Sequence, residues 1–429
     1  MTRRRRQVSL GTYCMLIITA LTIGMGAWVF PRLAGDIDDI RIDTAALIGA
    51  IVSTPQPGAT PVAMAQIPEA THEPLPTPTL PPQSKTVTVT VGGQIWLDAT
   101  LRKSGQQEDR NFYYDDIFTA ITPYMNQSDV TMVTLESTVS QTGSFDTYLA
   151  PASILSSLKN AGVDVINLAT ERIFDYGMEG LANTRASAEQ LGFSVTGAHR
   201  NADEQWLPLT FEVNGVKVAV LSYTYGFSNA GSGRGTREER AIAVNLAKAE
   251  TIRDDVRTAR NRGANLVLVN IHWGKQSNTR PNDDQARLVD EIIDCGLDAI
   301  IGTHPTTVHS MERRNVYCVD NVNRDVFIAY SLGDFLVNNR DSAQHIIGNL
   351  LTLQFTLDNG SQSVRLTDAR YMPTWLMRWE AGQYHYRIIP AGTEIKPPEM
   401  TDTIYRNMRR AYEEIVRKLG DDAARHVAQ

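Results

Sequence analysis

Side chains capable of chemistry fall at the ends of apolar runs. Gln94 follows TVTVTVGG, Glu136 follows VTMVTL, Thr170-Glu171-Arg172 follows VDVINLA, His272 follows LVLVNI and His304 follows AIIGT. A carboxylate, a guanidinium and two imidazoles aimed at one rim are groups that hold or transform a ligand. In sheets of parallel strands, ligands bind beyond the carboxyl ends. Each residue alone has an equally good structural role: a strand-end His hydrogen-bonded in place, or Glu136 capping a turn. The conjunction is what points to a site. The Glu171-Arg172 pair at its middle is either working chemistry or the remnant of it.

The elements that must position these groups read as an α/β domain. Strands are expected at 85–93, 130–136, 163–169, 217–226, 265–274, 298–305 and 325–335. Helices are expected at 151–162, 180–192, 243–263 and 283–296, each closed by a Gly suited to a left-handed cap. Alternation of the two predicts layered α/β packing. The stretch LTLQFTLDNGSQSVRLTDARYM alternates around Asn359-Gly360, a hairpin signal. Tyr405, Met408, Tyr412, Ile415 and Leu419 recur at helical spacing, so 396–429 reads as an amphipathic helix packed on the domain.

Ahead of the domain lies a different kind of sequence. Residues 1–6 are Arg-rich, and 7–31 carry no charge, long enough to span a hydrocarbon core of ~30 Å as one transmembrane helix. A cleaved signal peptide would have a shorter apolar core. The arginines would hold the N-terminus in the cytoplasm and place the rest outside the cell membrane as a single-pass protein. Residues 32–84 read as an extracytoplasmic linker, a Pro- and Thr-rich semi-rigid spacer from 53, with 33–52 expected either on the bilayer surface or as a short helix. The net charge of −7 argues against a nucleic-acid partner. Only Cys295 and Cys318 remain for the soluble part; they either pair or stay as buried thiols.

From about Lys85 to Pro390 the chain resembles the capsule (poly-γ-glutamate) synthesis protein CapA family. The resemblance rests on GGQIWLD, Thr134-Leu135-Glu136, NLATERIFDYG, His272-Trp273-Gly274 with Pro281 and Gln285, GTHPT, Glu312 and YSLGDF. It implies a metallophosphatase-like αββα sandwich over 85–395 and a two-metal site. It also implies where this chain departs. Gln94 stands where the family has Asp, Thr170-Glu171-Arg172 replaces Asn-Asn-His, Thr306 replaces a second His, and Asp334 replaces Asn.

Those departures bear on chemistry. The metal ligands that survive are Glu136, His272 and His304, the two histidines being also the candidate catalytic groups. Arg172, Glu171, Gln94, Asp175, Thr306 and Asp334 are the candidate ligand-binding groups. A guanidinium does not deprotonate. At 4 Å from a dication its repulsion is about 8 kcal/mol at an effective dielectric near 20. Arg172 therefore turns to solvent, pairs with Glu136 or Glu171, or grips an anionic ligand. The expected cofactor is none or one divalent metal, zinc or manganese. Two functions compete: an accessory pseudoenzyme of capsule or envelope-polymer synthesis, and a divergent metal-dependent hydrolase of a phosphate ester or γ-glutamyl polymer. A purely structural linker to the envelope is weaker, because the rim is polar. The expected partners are the membrane, an anionic polymer and other polymer-synthesis membrane proteins. Arg172, Lys275, Arg280 and Arg340 are basic groups that could meet such a polymer.

Overall fold

The computed structural model describes residues 85–427, apart from 143, 144, 206, 359 and 361. The expected cytoplasmic tail, anchor and linker lie outside the described residues. Among the described residues no helix is long and apolar enough to cross a membrane.

The chain begins one sheet, leaves for a second and returns to the first. The opening strands are β1 (Thr86–Ile95), β2 (Val130–Leu135), a separate pair β3 (Thr138–Ser140) and β4 (Leu149–Pro151), then β5 (Val165–Asn167) and β6 (Ser194–Thr196). The second sheet holds β7 (Leu209–Val213), β8 (Val216–Thr224), β9 (Leu266–His272), β10 (Ala299–Thr303), β11 (Met311–Tyr317) and β12 (Asn323–Ala329), in the order β11-β12-β10-β9-β8-β7. The return adds β13 (Asp334–Leu336), β14 (Ile347–Leu357), β15 (Val364–Ala381), β16 (Gln383–Pro390) and β17 (Arg425–His426). The first sheet runs β16-β15-β14-β1-β2-β5-β6, with β13 on β1 and β17 on β15. Strands β1, β2 and β5 are mutually parallel, as are β8, β9 and β10, so each set sends its carboxyl ends the same way.

Strand alternation decides the layers. Val87, Val89 and Val91 meet Val218, Val220, Leu266 and Leu268 between the sheets. On the outer face of the second sheet, Ala219, Leu221, Val267 and Val269 pack on Ile252, Val256, Val289 and Ile292 of helices Ala249–Asn261 and Asp283–Ile292. On the outer face of the first, Val133 and Ile166 pack on Ile154, Leu158 and Leu181 of helices Ser153–Asn160 and Gly177–Gln190. The order is α, β, β, α. Burial of this kind contributes roughly 1.5–3 kcal/mol for each large apolar side chain. Gly162, Gly192, Gly263 and Gly296 all have positive φ just beyond their helices, the conformation that a C-terminal cap needs.

Several elements differ from their sequence patterns. The helix expected from 243 begins at Ala249, because Leu246 pairs with Thr224 at the edge of the second sheet. The apolar run 325–335 is two strands on different sheets, broken where Gly333 turns with φ 69°. The C-terminal helix is Asp402–Leu419, shorter than expected; it buries Met408, Ala411 and Ile415 against Trp375, Met377 and Ile389. Beyond it the chain returns to the first sheet as β17. Cys295 and Cys318 are free and buried, and burial pushes the Cys295 thiol up to about 12, so these are inert thiols.

His199 and His309 are buried histidines whose pKa burial pushes down to about 4. The unfolded chain binds their protons near pH 6.5. Stability from keeping them neutral is thus full above pH 6.5 and is lost as pH falls toward 4. His309→Asn removes one titration. Between pH 7 and 5 it should lose less unfolding free energy than wild type, by roughly 1–2 kcal/mol, read from denaturant curves.

Candidate metal centre

Irregular backbone delivers the first group. The β1–β2 register shifts between Val91 and Gln94, and Gly93 sits against Gly333, where a Cβ would stand 2.1 Å from the carbonyl oxygen. That close approach makes Gln94 the Cα partner of Asp334 on one side and Thr134 on the other. Gln94 Oε1 accepts a hydrogen bond from the His304 backbone N–H at 3.1 Å. His304 has φ 91°, a left-handed conformation that is costly for a residue with a Cβ and that clusters at functional sites.

Glu136, His272 and His304 come together as the rim pattern requires. All three are buried, and one ligand atom from each lies within 4.8 Å of the others. The imidazole centroids are 4.6 Å apart. His272 lies 3.4 Å from Thr303 Oγ1 through Nδ1, and its Nε2 has no hydrogen-bond partner. Burial, then His304 and Arg172, hold His272 well below the ordinary imidazole pKa, so its nitrogen lone pair is free for a ligand. A tetrahedral zinc cage has edges of roughly 3.4 Å, which small side-chain adjustments would reach from this spacing. Glu136, His272 and His304 are thus a donor set that could hold one metal ion.

Arg172 turns toward this cluster, not out to solvent. Its guanidinium is 3.5 Å from Glu136, 3.4 Å from Glu171 and 3.3 Å from Asp175. Tyr148 covers it at 3.9 Å from the ring centroid, and Trp96 stacks on Tyr148. Asp175 also accepts from the Ser228 hydroxyl, and Glu171 from the Tyr225 hydroxyl. Tyr225 in turn stacks on His272 and tilts over His304. Burial drives the Glu136 carboxyl up to about 7; Arg172 pulls it down, while Glu171 and Asp175 push it up. The second carboxylate near the centre is Asp334. Burial and then Glu136 hold its pKa well above the usual range, and neither oxygen has a well-formed hydrogen bond although the Gln94 side chain lies beside it. Thr306 is buried with an unpartnered hydroxyl.

Three residues matter here that the strand-end pattern passes over: Tyr225, Tyr148 and Ser228. All lie on loops without periodicity; Tyr225 is the most legible, one residue past β8. Arg340 stands apart from the site, donating to Asn338 and to the Leu376 carbonyl under the Tyr386 ring. Removing one partner of a buried ion cluster is costly. Arg172→Met should lower unfolding free energy by about 3 kcal/mol, and added zinc should recover part of it through the carboxylates left unpaired. Denaturation with and without the metal reads both effects.

Residues 88–339, more than half of the chain, match the family model for bacterial capsule synthesis protein PGA_cap. A capsule biosynthesis protein CapA of Bacillus anthracis is 27% identical over 263 residues, covering 59% of this chain and 60% of that protein. A PGA biosynthesis protein CapA of Bacillus subtilis (strain 168) is 30% identical over 192 residues, 43% of this chain and 47% of that one. The chain thus spans about half to three fifths of the length of the curated relatives it matches. Among solved structures, the calcineurin-like phosphoesterase YfkN from Bacillus subtilis aligns with 78% of this chain and 100% of its own, at 12% identity and a TM-score of 0.39. The family match runs from within β1 through β13, and includes every strand end that feeds the Glu136, His272 and His304 cluster; by that match the chain belongs to the bacterial capsule synthesis protein PGA_cap family.

Proposed function

We propose that this chain is a membrane-anchored, extracytoplasmic CapA-like accessory protein of capsule or other envelope-polymer synthesis, built on a metallophosphatase-like fold whose metal site is reduced. The observation that carries the reading is the Arg172 guanidinium, 3.5 Å from Glu136 of the three-residue cluster. In-line displacement by a two-metal site needs cations about 3.5–4 Å apart to clamp the attacking and leaving oxygens. A fixed guanidinium there opposes a second dication by several kcal/mol. The uncharged run at 7–31 and the Pro-rich linker support the anchored, extracytoplasmic placement.

A divergent hydrolase is the second reading. The unpartnered, buried Nε2 of His272 within the three-ligand cluster favours it. One bound zinc or manganese ion would supply Lewis-acid charge to a phosphate ester or γ-glutamyl substrate. The residues' own part would be to hold that ion at Glu136, His272 and His304 and to keep Arg172 beside an anionic group.

Metal analysis of protein purified without chelators, run beside phosphate-ester and γ-glutamyl hydrolysis assays, separates the two. The accessory reading expects no more than one equivalent of metal and no metal-stimulated turnover. Two equivalents, or zinc- or manganese-dependent turnover abolished by His304→Ala, would overturn it.

A further inference from the structure

A second cavity lies against the loops that follow the site histidines. It has a volume of about 410 Å³ and is bounded by the segment around Thr279-Arg280, by Thr307-Val308 and by the end of helix Asp402–Leu419. Thr307 is three residues beyond His304, so the two Cα atoms are at most ~11 Å apart. Internal hydrogen bonds fix the walls. His309 Nε2 meets the Asn278 carbonyl at 2.6 Å, and Lys418 donates to the Thr279 and Val308 carbonyls, both at 2.6 Å.

The charge of this cavity is unlike that of the chain. Arg280, Arg417 and Lys418 line it against one acid, Glu414, in a protein of net charge −7. Glu414 accepts from the Gln344 amide at 2.9 Å. Among the described residues, neither Arg280 nor Arg417 has an ion pair, whereas many arginines elsewhere in the domain do. A helix C-terminus accounts for cations at 417 and 418. It does not account for Arg280, which comes from another element and faces the same space. Lys418 is occupied as a structural pin, and its pKa is lowered by burial first, with Arg280 adding to the effect. Two unpaired guanidinium groups therefore remain to take ligand oxygens.

We propose that this cavity, bounded by the loop that follows His304, is a docking subsite for carboxylates of an anionic polymer, gripped by Arg280 and Arg417. The assignment rests on the envelope-polymer reading above and names the part of the polymer recognised. Guanidinium groups pair with carboxylates bidentately.

The test is titration of the full-length chain, in detergent, with γ-linked oligoglutamate at low and physiological salt, with inorganic polyphosphate as a comparison arm. Arg280→Ala and Arg417→Ala should each weaken oligoglutamate binding roughly tenfold and reduce its salt dependence, with the melting temperature unchanged. No measurable binding by wild type, or tighter binding of polyphosphate than of oligoglutamate, would overturn the carboxylate subsite. Binding that survives both substitutions but is lost in Arg172→Met would place the polymer in the main cleft and overturn this cavity's role, leaving the proposed function standing. Metal-dependent turnover bears on that function alone.

Discussion

Three carboxylates, Glu136, Glu171 and Asp175, share the single guanidinium of Arg172, and the architecture of the cleft follows from that sharing. The acids arrive from two strand ends of the first sheet. Without a cation among them, their mutual repulsion and desolvation would force them apart or neutralise them. An arginine differs from a metal ion in being covalently part of the chain. It cannot dissociate, cannot be chelated and does not lose its charge at any pH the fold survives. Its planar face is also accommodated by Tyr148, an interaction of about 0.5–2 kcal/mol that a hydrated dication would not make in the same way. The cluster thus has a permanent cation built into the loop after β5.

The second sheet bears on the same point from the other side. Its contribution is two neutral imidazoles and Tyr225, with no acid at the ends of β8, β9 or β10 to add to the cavity. Tyr225 joins the halves: its hydroxyl donates to Glu171 while its ring covers both histidines. The Gln94 amide makes a second tie, from the first sheet to the backbone of His304. These cross-sheet contacts hold His304 in a left-handed conformation that its own sequence would not choose.

Much of this was legible in the sequence, for physical reasons that also explain the rest. Central parallel strands are buried on both faces and read as continuous apolar runs, so β2, β8, β9 and β10 stand out. Strand β11, Met-Glu-Arg-Arg-Asn-Val-Tyr, alternates between half-buried and exposed positions after Met311 but carries few apolar residues, so its period is hidden. Strands β3, β4, β5 and β6 have only three residues each, too few to establish a period; β5 was found through the apolar run around it. At the site, the strand-end pattern marks Glu136, His272 and His304 because position relative to a strand is local information. It leaves open where Arg172 points, since Glu136 and Asp175 reach it by packing and no spacing rule fixes a rotamer.

The pairing of Gln94 with Asp334 completes the electrostatic argument. By resemblance to the family, an acid is expected at the first position and an amide at the second; this chain has them exchanged, and the two residues are Cα partners on adjacent strands. The number of carboxylates is unchanged by the exchange, but their use is not. At 94 the amide oxygen accepts from the His304 backbone and brings no charge to the cavity. At 334 the carboxyl is buried without a well-formed hydrogen bond, which favours its neutral form. The negative charge next to the histidines then comes from Glu136 and Glu171, both of which also reach the Arg172 guanidinium. A second dication would need an acid restored at 94 and the guanidinium moved out. Those are two independent changes, one on β1 and one in the loop after β5, and each present residue disfavours such an ion by the same electrostatics.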